Sequence, residues 1–316
     1  MIELRNDRLI FSFPDVHPSA TLQLDFQRTL RIPDDHQSHL LPPGLGAFPL
    51  RHVDDGTDRM PAAWKSRGGV MLPMHQAEAL WIHFRPGFDH DRGFAYPFAI
   101  AIAAGKINAV TGQQWTNQIH EDPQDYVVAP RQPWLDGFAV SKGTIRQFVA
   151  MPLGQGYTVE AQLTGKEDVG GLQLRVFEPK PGRFPDRPPR PGPEAMMQPM
   201  AAMGSMGLGV GGQMHQKIYP DPYGLDTWDP DNSGTAFVHI VNSEQYEALT
   251  GDPPPPSPIS AATYTENGFP WFDLYDEEKG DVAASSRLAK VKPVHGKDEE
   301  AVKIKPGQVR KIRRRL

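Results

Sequence analysis

The chain has 316 residues, a net charge of −5 and no cysteine. Disulfides, cysteine nucleophiles, thiolate-bound zinc and iron–sulfur clusters are therefore excluded. With 30 glycines and 33 prolines, about a fifth of all residues, the composition also argues against a helix bundle.

The first residues mix Glu3, Arg5, Asp7 and Arg8 into their apolar positions, so no secretory h-region can be drawn there. No apolar run reaches the roughly 18 residues of a membrane span, and no transmembrane segment is expected. A cytoplasmic location is the expectation, with export by a signal-independent route as the alternative.

Residues 1–178 read as strands and turns. Ile2 to Leu4 and Leu9 to Phe13 suit a hairpin around Asn6-Asp7. Leu22, Leu24 and Phe26 alternate with Gln23 and Asp25, the pattern of a half-buried strand. Pro42-Pro43-Gly44 marks a rigid turn, and Leu80 to Phe84 is a short strand with two possible inward sets. Phe98, Ile100 and Ile102 alternate before Gly105-Lys106 turns the chain into Ile107 to Val110, the clearest hairpin. Tyr126 to Ala129, Thr144 to Met151 and Leu172 to Val176 complete the series. No helical pattern separates these strands, which disfavours a parallel βαβ sheet.

Residues 179–213 change character and read as a Pro/Met/Gly-rich linker or inserted loop. Residues 214–292 read as a smaller α+β region that completes or adjoins the β body. Ala236 to Val241 is its strand. Short helices are expected over Glu244 to Leu249, capped by Asn242, over Ser260 to Asn267, and from Asp281 to Lys290. Residues 293–316 form a basic tail expected to be solvated. From Lys297 onward eight cations oppose three acids, leaving the rest of the chain acidic. The expected fold is mainly β: an antiparallel sandwich-like body, one large or two adjoining β units, with a few short C-terminal helices.

Several motifs carry possible chemistry. Gly207-Leu208-Gly209-Val210-Gly211-Gly212 matches a dinucleotide fingerprint, which needs a strand before it and a helix after it; here a Met/Pro-rich stretch precedes it and no Walker lysine follows. A flexible loop is the expectation. Met197, Met200, Met203 and Met206 recur at every third residue; thioethers suit Cu(I), a pliable partner contact, or an unstructured loop. Asp229, Asp231 and Ser233 place oxygens like the opening of a calcium loop, with Gly234 next. Ile240 stands where an EF-hand needs glutamate, so only a noncanonical calcium site competes with an Asx turn. No cofactor is expected, calcium and Cu(I) being the two alternatives considered.

Trp134 with Asp136, Trp228 with Asp229, and Trp271 with Asp273 each set an indole beside a carboxylate. Indoles stack on sugar rings and paired carboxylates hydrolyse glycosides. The competing account is core tryptophans followed by turn aspartates. Arg313, Arg314 and Arg315 end the tail and suit an acidic partner, or nucleic acid without sequence preference.

Pro123-Gln124-Asp125-Tyr126-Val127-Val128, Gln132-Pro133-Trp134-Leu135-Asp136-Gly137 and Ile145 to Gly165 resemble segments of a group of uncharacterised bacterial and fungal proteins. Asp221-Pro222-Tyr223-Gly224-Leu225 and Pro270-Trp271-Phe272-Asp273 extend the resemblance across most of the chain. It implies one whole-chain unit and no activity.

These features point to a noncatalytic binding or assembly protein, meeting a protein partner or a second copy of itself through the methionine loop and the basic tail. The rival is a hydrolase on a β scaffold, acting on carbohydrate, with Asp136, Asp229 or Asp273 as acid and base and Trp134, Trp228 and Trp271 as the sugar platform.

Overall fold

The computed structural model describes residues 1–35, 37–90, 93–184, 204–205, 207–275, 280–294 and 308–313. Two large sheets dominate it. The first has ten strands, and its main path runs Ile2–Arg5, Arg8–Ser12, Thr21–Thr29, Ala79–Pro86, Thr144–Met151, Gly207–His215 and Ser38–His39. Gly44–Ala47, Trp134–Leu135 and Gly137–Ser141 branch from that path. The second has eight strands, with Phe98–Ala104, Leu172–Pro179, Trp228–Asn242 and Val70–Met74 adjacent in that order. Most pairs are antiparallel, as expected; Val70–Met74 runs parallel to Trp228–Asn242.

Alternation explains how the sheets face one another. Leu22, Leu24, Phe26, Ile82, Phe84 and Phe148 of the first sheet join Ile100, Ile102, Leu174, Val176, Val238 and Ile240 of the second in one buried cluster. Each such side chain contributes about 1.5–3 kcal/mol on leaving water. The opposite faces are covered too. Ala99, Ala101, Phe177 and Trp228 pack behind the second sheet, and Trp81, Trp134, Met214 and Trp271 behind the first. This is why Phe98–Ala104 is buried at every position.

The two expected hairpin turns form for a local reason. Asn6 and Asp7 have φ of 51° and 58°, and Gly105 and Lys106 have 56° and 61°. Two successive left-handed residues make the turn whose twist matches paired strands.

Three expectations are corrected. Residues 207–213 are not loop but lie in the Gly207–His215 strand, antiparallel to Thr144–Met151. Their glycines serve close packing: an added Cβ at Gly212 would meet the Pro33 carbonyl, and one at Gly209 would meet Val294. The dinucleotide reading falls with the loop. The expected helix from Asp281 to Lys290 is reduced to a 3₁₀ turn at Leu288–Lys290. Asp281 accepts a hydrogen bond from the Ile218 amide (3.0 Å), and the Val282 amide donates to the Ile218 carbonyl, which holds this stretch against residue 218. In the tail, Val309–Arg313 is a strand parallel to Trp271–Tyr275, not a solvated end.

The first two C-terminal helices form. Ser243–Thr250 is capped by Asn242, whose side chain accepts from the Glu244 amide, and Ala261–Glu266 is capped by Ser260. Among the described residues, no helix is long and apolar enough to cross a membrane.

Candidate functional site

The outer face of the first sheet carries one row of polar and aromatic side chains. Leu24 and Phe26 point into the core, so Asp25 and Gln27 point outward. Register then sets Asp25 opposite His83 and Gln27 opposite Trp81. On its other edge, His83 lies opposite Trp134. Three strands distant in sequence thus bring Asp25, His83 and Trp134 into line.

Trp81, His83, Trp134 and Asp136 line a small cleft of about 20 Å³, room for about one water, together with Leu41, Pro42 and Gly44. The indoles of Trp81 and Trp134 meet edge to face with centroids 6.3 Å apart, and the His83 ring lies 5.4 Å from Trp81. The rim is tied down because Leu41 bridges to Phe272 through two backbone hydrogen bonds of 2.9 and 3.0 Å.

Asp136 is 4% exposed. Gln216 Nε2 donates to its Oδ2 (2.6 Å), and its own amide donates to Gln216 Oε1 (3.0 Å). Burial pushes the carboxyl up to about 7, against the opposing hydrogen bonds from Trp134 and Gln216. It can therefore hold or release a proton near neutrality.

Asp25 behaves in the opposite way. Burial alone would raise its carboxyl, but His83, the Gln27 amide and the Arg85 guanidinium together hold it below the usual carboxylate range. Arg85 Nε lies 3.1 Å from Asp25 Oδ2, and Arg8 Nε lies 3.7 Å from it. Arg85 Nε also donates to His83 Nδ1 (2.9 Å).

Of the residues singled out from sequence, Trp134 and Asp136 come together in this cleft. Trp271 does not line it. It is fully buried beneath, in one cluster with Trp81 and Trp134, and its indole donates to Thr265 Oγ1 (3.1 Å). Asp273 lies in the Trp271–Tyr275 strand opposite Lys311; its side chain lies outside the described part.

Trp228 and Asp229 belong to the second sheet, far in topology from Asp136. The Trp228 indole is buried and donates to Asp221 Oδ2 (2.7 Å), and it does not line the cleft. Asp229 Oδ1 accepts from the Asp231 and Asn232 amides, the Asx turn, while Ser233 Oγ accepts from Arg175 Nε (2.9 Å). Among the described residues no group of three or more acidic or histidine side chains forms a metal cage. Met197, Met200, Met203, Met206, Arg314 and Arg315 lie outside the described residues. Arg313 is in the terminal strand opposite Tyr275.

Sequence reasoning did not join Trp81, His83, Asp25 or Gln216 to this site. Trp81 and His83 were one of the two alternating sets in Leu80 to Phe84, and Asp25 stood on the polar side of its strand. Their convergence depends on strand pairing.

Comparison with protein-family models, curated proteins and solved structures yields no match for this chain.

Proposed function

We propose that the cleft between Trp81, Trp134, His83 and Asp136 is a noncatalytic binding site that takes a saccharide at its mouth. The observation that supports the reading is this grouping of two indoles with an imidazole and a carboxyl in one concave site. Trp81 and Trp134 are 5% and 8% exposed, so they meet the sugar's apolar face through ring edges, and the imidazole and carboxyl supply hydrogen bonds to its hydroxyls.

Titration calorimetry with gluco-, manno- and xylo-oligosaccharides tests it. Saturable heat with one of these sugars, lost in Asp136→Asn, is expected. Absence of binding across the three series overturns it.

A second reading, hydrolysis, draws on the split between a carboxyl raised to about 7 at Asp136 and a carboxylate held low at Asp25. Asp25 does not line the cleft and is engaged by Gln27 and Arg85, so among the described residues Asp136 lacks a facing carboxylate with access to substrate. Binding is therefore preferred. Reducing-sugar release abolished by Asp136→Asn would reverse that preference.

A further inference from the structure

A second constellation lies in the other sheet, where Val70–Met74 and Trp228–Asn242 run parallel with Met74 opposite Asn242. Because these strands end together, His75 and Ser243 leave the sheet side by side. Ser243 opens the helix Ser243–Thr250, and its Oγ lies 3.1 Å from His75 Nδ1. His75 Nε2 faces the Pro255 carbonyl at 3.4 Å. That carbonyl can only accept, so the ring proton belongs on Nε2 and Nδ1 is left as the acceptor for the Ser243 hydroxyl.

The imidazole is braced from behind. Its backbone amide donates to Glu78 Oε2 (3.0 Å). Glu78 in turn pairs with Arg28 (2.6 Å), and Arg28 donates to the Pro256 carbonyl (2.8 Å). Burial, together with the Arg28 charge, keeps His75 below the ordinary histidine range, hence neutral at pH 7. Both Ser243 and His75 are half-buried, so neither is sealed from solvent.

We propose that Ser243 and His75 form a nucleophile–base pair that accepts an acyl group from small carboxylic esters. A hydroxyl, a base within hydrogen-bond reach and a third group orienting the base are the geometric requirements for such a nucleophile. In the acylation step Ser243 Oγ bonds to the ester carbonyl carbon and passes its proton to His75 Nδ1. The carbon–oxygen bond to the leaving alkoxide breaks, and the alkoxide takes that proton and departs as the alcohol. Water then attacks the acyl-serine, giving one proton to His75 Nδ1, which returns it to Ser243 Oγ as the carboxylic acid leaves. The positive end of the helix at Ser243 favours the developing negative charge.

The test is labelling of the full chain with a fluorophosphonate, followed by peptide mapping, beside hydrolysis of p-nitrophenyl acetate. One adduct on Ser243 in native protein is expected, with none in urea-unfolded protein and none in Ser243→Ala. His75→Asn should slow labelling about 100-fold or more, the usual worth of a general base. No Ser243 adduct on native wild-type protein overturns the proposal without reference to any variant. So does an adduct on another residue alone, or a His75→Asn protein that keeps its circular dichroism and labels at the wild-type rate.

Discussion

Gln216 and Asp136 clasp each other through two hydrogen bonds: the glutamine amide donates to the carboxyl at 2.6 Å and accepts from the aspartate backbone at 3.0 Å. Both residues are buried. Gln216→Ala leaves a buried carboxyl oxygen and a buried backbone N–H without these partners. A loss of about 1–3 kcal/mol in urea unfolding is expected.

Asp136 also sets a pH dependence. Its folded carboxyl stands at about 7 against an ordinary 3.8, so the native state binds more protons than the unfolded chain between those values. Stability from this group therefore falls as pH rises through that window, by at most about 1.4 kcal/mol per pH unit. Glu178, buried and raised to about 7 by burial and by the charges of Asp229 and Asp15, acts in the same direction. Unfolding titrations of wild type and Asp136→Asn from pH 4 to 7.5 should converge at the acid end, with the variant gaining relative stability toward neutrality.

Trp134 has separable roles in packing and in the cleft. Trp134→Ala empties volume beside Trp81 and should cost about 3–5 kcal/mol. Trp134→Phe keeps an aromatic ring but removes the indole N–H beside Asp136. On the saccharide reading, it should retain the native circular dichroism and weaken binding about tenfold, or about 1.4 kcal/mol, by calorimetry.

Gly212 tests the sheet packing behind the glycine-rich strand. Its added methyl would meet the Pro33 carbonyl and Ile32. Gly212→Ala should destabilise the protein by about 1–3 kcal/mol, the usual cost of overpacking. Gly154 is a poor comparator because its φ of 84° strains any side chain. The exposed Gln155 beside it is the better control, and Gln155→Ala should leave the melting temperature unchanged.

The legible part of this fold was the local part. Alternation in Leu22, Leu24 and Phe26, the two left-handed turns at Asn6-Asp7 and Gly105-Lys106, and the Asn242 cap all depend on neighbours within a few residues. The Gly207–His215 strand was hidden because its glycines have no side-chain pattern; the neighbours that require them, Pro33, Val149 and Val294, are remote in sequence. Asp281 likewise carried no local sign that its carboxylate would engage the Ile218 amide.

The candidate site divides in the same way. Trp134 and Asp136 could be singled out in advance because an indole stands two residues from a carboxylate. The same reasoning selected Trp228 with Asp229 and Trp271 with Asp273, which the fold places elsewhere. The sequence by itself determined which residues of one strand share a face, since successive side chains alternate. Only the tertiary structure decided that residues 25, 83 and 134 stand in one row, and that 75 and 243 emerge together. Strand register is settled by the sum of core packing over both sheets, and a slip of one residue would turn Asp25 and His83 to the opposite face.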